Sequence, residues 1–414
     1  MACCSSTTAI SCSRSAPRER RRRGLSSMGL VHVFQTRRIA PGRWVAVCTL
    51  VLWCSMWPAT AQQESSRPDA WPQFRGNPQL TGVADELPPT IELLWTAEIG
   101  ESVESSAAIV DGTVYVGAQP GVLAAVDLAS GKVKWTYEAS DLGVGESSPA
   151  VHDGVVYIGD LDGVLHAVDA ATGKARWTFE TEGEIKSSPV IADDHVLIGS
   201  YDGHLYGLGL DGQLAWKVRT EGPVHATAAI RDGVAHIAGC DTMLRGIRVA
   251  DGKQLFTVSS GAYTGASAAL EGSRAFYGTF ENEVLAVDLD ARKILWRYRH
   301  PERNFPFYSS AAIEGTTVFV GGRDKILHAL DAATGKALWT FMTRARIDSS
   351  PVVSSGRVYV GSSDGRLYVV DAASGEKTWE FEAGAPISAS PAIAAGRLVI
   401  GAQDGRLYCL GVKG

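Results

Sequence analysis

Eight residues of differing chemistry recur along the chain at a spacing of 39 to 43 residues. They are Glu104, Glu146, Lys186, His225, Gly265, Tyr308, Asp348 and Ser388. Each stands directly before a segment that varies little from copy to copy. Function in a repeat protein is expected where the copies differ while the frame persists, so these residues are predicted to form a binding rim. The alternative is that they are solvated loop residues without a ligand.

A second candidate is the longest insertion between copies, RHPERNFPFY at residues 299–308. It supplies Arg299, Arg303, Phe305, Phe307 and Tyr308. Arginine and aromatic side chains dominate the energetics of protein interfaces, which predicts a partner-binding loop. The alternative is that Phe305 and Phe307 close the central channel of the fold described below.

Catalytic and metal-binding patterns are lacking in the sequence. No Gly-x-Ser-x-Gly elbow, phosphate loop or pair of histidines at metal-ligand spacing occurs. His166 and His328 stand where other copies have tyrosine, so they are predicted to be packed rings. No catalytic residue and no metal site are therefore predicted.

The elements that must position these residues are visible in residues 349–388. Four short β-branched or aromatic runs, SSPVVSS, RVYVG, RLYVVDA and KTWEFEA, are separated by Ser-Gly, Asp-Gly and Ser-Gly pairs. Such dipeptides favour tight hairpins. Four strands repeated about every 40 residues are typical of a β-propeller. The sequence predicts an all-β fold, an eight-bladed propeller of four-stranded antiparallel blades.

The ring is predicted to be closed by an N-terminal strand. The last copy, residues 389–414, contains only three strand signals, and ELLWTAEIG at 92–100 resembles the fourth-strand run KARWTFETEG at 174–183. Residues 92–100 should therefore complete blade eight and leave no open ring edge. The lead-in at 62–91 is expected to be dispensable for folding.

One aromatic position per copy is predicted to pack between neighbouring blades and to be structural. It is occupied by Trp95, Trp135, Trp177, Trp216, Phe256, Trp296, Trp339 and Trp379.

Residues 1–61 read as a secretory signal peptide, with an arginine-rich stretch, the apolar run WVAVCTLVLWCSMW and an Ala-Thr-Ala cleavage site; Met28 is an alternative start. This leader carries a charge of +8, so residues 62–414 carry −14. An acidic domain argues against nucleic acid as the partner. Cys240 and Cys409 are the cysteines beyond the leader and are predicted not to pair.

The hairpins AVDAATGKARW (167–177), ALDAATGKALW (329–339) and VVDAASGEKTW (369–379) resemble the tryptophan-docking motif of the PQQ-type propeller superfamily. WPQFRGNPQLTG at 71–82 looks like the segment before the propeller in secreted members. The resemblance implies that the aspartate of each hairpin fixes a turn. The resemblance covers residues 92–414. The superfamily has two branches. One contains quinoprotein dehydrogenases, which bind PQQ with calcium; the other contains BamB-like scaffolds that assemble outer-membrane β-barrels.

The resemblance favours the BamB-like branch, because the vicinal cysteines and the Cys-x-x-Cys-His haem motif of quinoprotein alcohol dehydrogenases are missing. The expectation is a monomeric, non-catalytic scaffold without a cofactor, in the periplasm or at the outer-membrane periphery. Its partners would be envelope proteins such as β-barrel assembly components, with peripheral membrane association. The alternative is a PQQ-dependent dehydrogenase or a sugar-binding quinoprotein that uses the central channel.

Overall fold

Eight separate four-stranded antiparallel sheets make up the computed structural model, which describes residues 69–413. No helix is found in that part of the chain. The predicted all-β, eight-bladed propeller is therefore confirmed. The leader prediction for residues 1–61 lies outside the described residues.

In blades one to seven the chain runs from the inner strand A to the outer strand D, and each strand pairs with the next one in sequence. Blades one to four are β2 (Ala108–Val110), β3 (Thr113–Ala118), β4 (Val122–Asp127), β5 (Val133–Glu138); β6 (Ala150–His152), β7 (Val155–Gly159), β8 (Val164–Asp169), β9 (Ala175–Glu180); β10 (Val190–Ala192), β11 (His195–Gly199), β12 (His204–Gly209), β13 (Leu214–Arg219); β14 (Ala229–Arg231), β15 (Val234–Ala238), β16 (Met243–Arg248), β17 (Gln254–Ser259). Blades five to eight are β18 (Ala269–Glu271), β19 (Arg274–Gly278), β20 (Val284–Asp288), β21 (Lys293–Tyr298); β22 (Ala312–Glu314), β23 (Thr317–Gly321), β24 (Ile326–Asp331), β25 (Ala337–Met342); β26 (Val352–Ser354), β27 (Arg357–Gly361), β28 (Arg366–Asp371), β29 (Lys377–Glu382); β30 (Ala392–Ala394), β31 (Arg397–Gly401), β32 (Arg406–Gly411) and β1 (Glu92–Glu98).

Strand β1 forms the outer edge of blade eight, as predicted. It pairs antiparallel with β32, with Trp95 opposite Cys409 and Ala97 opposite Leu407. Hydrogen bonding between the two ends of the propeller thus closes the ring. Cys240 and Cys409 are both buried and are not joined by a disulfide, as predicted.

A closed ring of hydrogen bonds joins the starts of the eight A strands. The second residue of each Ser-Ser, Ala-Thr or Ala-Ser opening donates its backbone N–H to the hydroxyl of its counterpart in the next blade. The chain of donors and acceptors runs Ser106, Ser148, Ser188, Thr227, Ser267, Ser310, Ser350, Ser390 and back to Ser106, at 2.9–3.0 Å. All eight residues are buried. A hydroxyl is needed in every copy because the A strand would otherwise leave a buried N–H without an acceptor.

The repeated tryptophan docks on the turn of the following blade. Trp339 donates its indole N–H to the Ala372 carbonyl at 3.0 Å, and its ring lies over Gly375 so closely that a Cβ there would be 2.6 Å away. Five other tryptophans make the equivalent hydrogen bond. Phe256, which replaces tryptophan, instead faces the guanidinium of Arg292, which replaces the turn glycine, at 5.3 Å. These contacts place the aromatic ring of seven copies against the C-to-D turn of the following blade.

The hairpin aspartates cap turns, as the resemblance implied. Asp331 Oδ1 accepts the backbone N–H of Thr334 at 2.8 Å and its hydroxyl at 2.6 Å. Asp127, Asp169 and Asp371 make the same pair of bonds. These carboxylates stabilise the C-to-D hairpins far from the rim.

The lead-in is an integral part of the propeller, and the expectation that it is dispensable does not fit its burial. Trp71, Leu80 and Leu87 are at most 2% exposed. Carbonyls of this segment accept the inner-strand N–H groups of six blades, namely Ile109, Val151, Ile230, Leu270, Ile313 and Val353, at 2.7–2.9 Å. Residues 71–82 therefore line the inner edges of the blades and satisfy groups that an open channel would leave to water.

Candidate functional site

The rim residues project from a frame that is built in the same way in most copies. In blade seven, Ser349 Oγ accepts the Gly361 N–H at 3.1 Å, and Ile347 packs so closely on Gly321 of the preceding blade that a Cβ there would lie 2.3 Å from it. Asp348 stands between these two anchored residues. Fixing both neighbours leaves only the intervening side chain free to differ, which explains why the variable position recurs at this point.

Three rim residues from different blades meet across the ring. The Tyr308 hydroxyl donates to Glu146 Oε2 at 2.7 Å and lies 3.0 Å from His225 Nε2. Glu146 Oε2 is also 3.3 Å from His225 Nε2, and His225 Nδ1 lies 2.7 Å from the Tyr201 hydroxyl. The predicted rim is thus a connected polar cluster in this region. We refer to Glu146, His225, Tyr308 and Tyr201 as the rim cluster.

Opposing influences set the charge of the rim glutamates. Desolvation alone would raise the pKa of Glu146, but hydrogen bonds from His225 and Tyr308 and the charge of Lys186 outweigh it and lower the pKa to about 2. Burial and the nearby charge of Glu146 raise the pKa of Glu104. Glu146 is therefore held as an anion that accepts hydrogen bonds, which is a structural task.

The other rim side chains form smaller ion pairs and contacts around this cluster. Lys186 pairs with Glu184 at 2.8 Å and lies over the Tyr201 ring at 4.7 Å. Asp348 binds Arg323 at 2.7 Å and Arg346 at 2.8 Å. Ser388 accepts a hydrogen bond from Gln403 at 3.2 Å. Lys186, Asp348 and Ser388 are thus each bound to a neighbouring loop residue and not to another rim residue.

Sequence reasoning missed the inner partners of the rim. Tyr201, Phe280, Arg323 and Gln403 all occupy one position, the second residue of the B-to-C connection, and touch His225, Tyr308, Asp348 and Ser388 respectively. Their backbone N–H groups donate to the carbonyl that lies two residues before a rim residue, namely those of Glu184, Tyr263, Pro306 and Pro386. This position varies between copies as much as the rim does, so aligning it would have revealed the second layer.

The 299–308 insertion is divided between core and surface. Phe307 is 1% exposed and packs against Tyr298 and His328, so its prediction as a partner contact is wrong. It fills the position before the rim residue that Ile347 fills in blade seven, and this apolar pattern was readable in the sequence. Phe305 is 48% exposed. The alternative of a double phenylalanine plug does not fit either, because only Phe307 is enclosed.

The two arginines of the insertion are tied to the propeller. Arg299 pairs with Glu283 at 2.9 Å, and Arg303 donates to the Asp324 carbonyl at 3.1 Å. The Arg299 side chain remains 59% exposed. These bonds hold the loop against blades five and six while leaving positive charge at the surface.

Large apolar side chains are exposed on the same D-to-A connections that end in rim residues. Leu142, Tyr263 and Phe305 are 64%, 45% and 48% exposed. They precede Glu146, Gly265 and Tyr308 by four, two and three residues. We refer to these three side chains as the rim anchors. They place apolar surface beside the polar rim, which is the composition of a protein interface.

The histidines assigned to packing are confirmed as buried. His166 and His328 each lie between a carboxylate, Asp160 or Asp324, at 2.8 and 3.1 Å, and the hydroxyl of Tyr137 or Tyr298 in the preceding blade. In other blades a phenylalanine and a tyrosine meet at this place. Both imidazoles therefore serve blade packing.

Within residues 69–413, no group of three or more His, Cys, Asp or Glu side chains is placed to hold a metal ion. Calcium requires about six to eight oxygen ligands, usually with several carboxylates. The rim carboxylates Glu146 and Asp348 are instead bound to protein donors. The described residues thus do not fit the calcium site of a quinone cofactor. No helix in the same range is long and apolar enough to cross a membrane.

Solved structures with this fold come from both branches of the superfamily. BamB from Moraxella catarrhalis is 18% identical, with a TM-score of 0.67 over 78% of this chain and all of its own. Quinohemoprotein alcohol dehydrogenase from Comamonas testosteroni is 16% identical, with a TM-score of 0.74 over 84% of this chain and 81% of its own. A europium-containing methanol dehydrogenase is 15% identical, with a TM-score of 0.69 over 83% and 98%. At such identities the likeness concerns the fold alone.

Sequence comparison assigns the chain to a family. No curated protein matches the chain significantly. The family model described as outer membrane protein assembly factor BamB matches residues 88–144, 139–274 and 280–414, which together span the propeller. The chain therefore belongs to this family of PQQ-like β-propellers.

Proposed function

We propose that this protein is a non-catalytic scaffold of the cell envelope that binds protein partners during outer-membrane β-barrel assembly. The rim face, meaning the rim residues together with the rim anchors, is the proposed binding surface. The predicted leader would deliver the protein to the periplasm, where it acts as a monomer without a cofactor. Family membership supports the setting, and the composition of the rim face supports the mode of action.

The bonding of the rim cluster argues against catalysis. A general base or nucleophile needs a reactive atom that can reach a substrate. Here Glu146 Oε2 accepts from Tyr308 and faces His225, while His225 Nδ1 meets Tyr201. Because these contacts lower the pKa of Glu146 to about 2, its carboxylate is a very weak base at neutral pH. The cluster is better suited to holding the blades and loops in fixed positions.

The single observation that carries the proposal is the placement of the rim anchors. Leu142, Tyr263 and Phe305 are exposed on connections that the propeller frame holds in place. Rigid apolar anchors cost little conformational entropy on binding, and nearby arginines such as Arg299 and Arg346 supply charged contacts. The surface therefore suits an extended or helical polypeptide that carries apolar and acidic side chains.

Fold similarity to quinoprotein dehydrogenases defines the competing function. In that case a quinone would occupy the channel mouth, where Tyr308, Glu146 and His225 now contact one another. The measurement that separates the two functions is titration of the purified protein with PQQ and calcium, followed by dye reduction with alcohols and sugars. We expect neither binding nor turnover. Tight calcium-dependent binding with dye reduction would overturn the scaffold proposal.

Partner binding is tested with the anchors. The Tyr263→Ala, Phe305→Ala double variant should lose at least tenfold in affinity for its envelope partner, because two exposed aromatic anchors are removed. A matched control is Leu338→Ala, Met342→Ala, which truncates two exposed apolar residues on the outer strand β25, 54% and 58% exposed. The control should bind as the wild type does. Equal binding by all three proteins would refute the rim face as the binding surface.

A further inference from the structure

The interior of the propeller contains an arginine that is sealed from solvent. Arg75 lies in the lead-in, in the left-handed region with φ of 63°, and is 1% exposed. Its Nη2 donates to the Ala311 carbonyl of blade six at 2.9 Å. Gly82 approaches it so closely that any Cβ there would clash with Nη2. A glycine at position 82 therefore leaves the space that the Arg75 side chain occupies inside the ring.

The remaining donors of Arg75 have no acceptor among residues 69–413. Nε and Nη1 are both buried and unpaired, and so are Trp71 Nε1 and Gln73 Nε2 on the same segment. No carboxylate of the described chain forms an ion pair with Arg75. Asp69 and Asp85 flank the segment. Burial and repulsion by the negative charge of Asp69 raise the pKa of Asp85. The lead-in therefore supplies an excess of donors over acceptors.

A buried guanidinium in this protein is otherwise neutralised. Arg245, 6% exposed, forms an ion pair with Asp241 at 2.5 Å. An uncompensated buried charge costs several kcal/mol, and arginine avoids this cost poorly because its pKa is so high. Burial lowers the pKa of Arg75 to about 9, which leaves it protonated at neutral pH. One carbonyl oxygen does not match this charge.

We propose that Arg75 is the core of a buried anion site, occupied by a small monovalent anion of the chloride class. Charge distinguishes an anion from water at this place, because water could accept the N–H groups but would not compensate the guanidinium. Size follows from the enclosure, since Arg75 is 1% exposed and Gly82 leaves no room for a Cβ beside its Nη2. The anion would fasten the lead-in to the blades that it spans, and so stabilise the closed ring.

The direct test is diffraction from crystals of the wild-type protein grown in sodium bromide. We expect a bromide anomalous peak in contact with the Arg75 guanidinium. Water at that place, or a carboxylate from elsewhere in the chain, would overturn the proposal. This measurement needs no variant and so does not depend on whether a variant folds.

The second test is thermal unfolding at constant ionic strength while chloride replaces gluconate. An anion that binds only the folded state raises the melting temperature as its concentration increases. We expect this rise in the wild type and in the control Arg344→Gln, which changes an exposed arginine, and its loss in Arg75→Gln. A rise of equal size in Arg75→Gln would show that chloride acts elsewhere, and no rise in the wild type would contradict the site.

Discussion

Two phenylalanines lie two residues apart in one insertion, and truncation of Phe307 should reduce stability whereas truncation of Phe305 should reduce partner binding. Phe307 is 1% exposed and Phe305 is 48% exposed. Phe307 contacts Tyr298, His328 and the backbone region of Gly278, where a Cβ would come within 2.4 Å of it. Phe307→Ala therefore removes a side chain from a packed core, whereas Phe305→Ala removes one from the surface.

The magnitude follows from burial. A buried aromatic side chain takes roughly 150–250 Å² out of water, which at about 25 cal/mol per Å² corresponds to ~4–6 kcal/mol as an upper bound. Truncation of a buried phenylalanine typically costs about 3–5 kcal/mol once the cavity is included. We expect a loss in this range for Phe307→Ala and a change within about 0.5 kcal/mol for Phe305→Ala.

Urea unfolding followed by tryptophan fluorescence measures both losses, and partner affinity is measured on the same preparations. Phe305→Ala should weaken partner binding and leave the unfolding midpoint unchanged. Phe307→Ala should lower the midpoint and, below its transition, bind the partner nearly as the wild type does. If Phe307→Ala were as stable as the wild type, the division of the insertion into core and surface would be refuted.

Three further predictions concern stability. Ser350→Ala removes the acceptor of the buried Ser310 N–H and should cost about 1–3 kcal/mol, whereas the control Ser363→Ala, outside the ring, should cost far less; equal costs in urea unfolding would contradict the hydrogen-bonded ring. Burial lowers the pKa of His236 from 6.5 to about 4, so the unfolded chain binds more protons than the folded one between these pH values, and the free energy of unfolding should fall by about 3 kcal/mol as the pH drops from 6.5 to 4. His236→Gln should lack this loss, and a loss of the same size in the variant would show that other groups cause it. Deletion of residues 62–86 should lower the melting temperature sharply because six inner-strand N–H groups lose their acceptors, whereas deletion of residues 62–67 should not; equal melting of the two would return the lead-in to a dispensable role.

The fold was predictable from the sequence because each element of the blade is encoded locally and repeated. Turn dipeptides, strand runs and the docking tryptophan recur at one spacing, and the missing outer strand of blade eight could be recognised in residues 92–100. Even the exception obeys a pairing rule, since Phe256 meets Arg292 where the other copies pair tryptophan with glycine. Local patterns of this kind can be recognised in the sequence without any knowledge of long-range contacts.

The site was less predictable because it depends on contacts across the ring. Glu146 and Tyr308 are 162 residues apart in sequence and share a hydrogen bond, which no repeat alignment indicates. The insertion predicts Phe307 as a partner contact or, in the alternative, as part of a channel plug, because it departs from the repeat, although the aligned position in blade seven is the buried Ile347. The importance of the lead-in for folding is not visible in the sequence, because its backbone carbonyls accept the inner-strand N–H groups and such bonds leave little trace in the pattern of side chains.

Site-specific photo-crosslinking in living cells tests the central proposal most directly. A photoreactive residue at Tyr263 or Phe305 on the rim face is compared with one at Leu338 on the outer strand, which is similarly exposed. We expect a defined crosslink from both rim positions to a component of the β-barrel assembly machinery, identified by mass spectrometry. We expect no such crosslink from Leu338. Crosslinks to such a component from Leu338 alone, or from none of the three positions, would contradict the proposal.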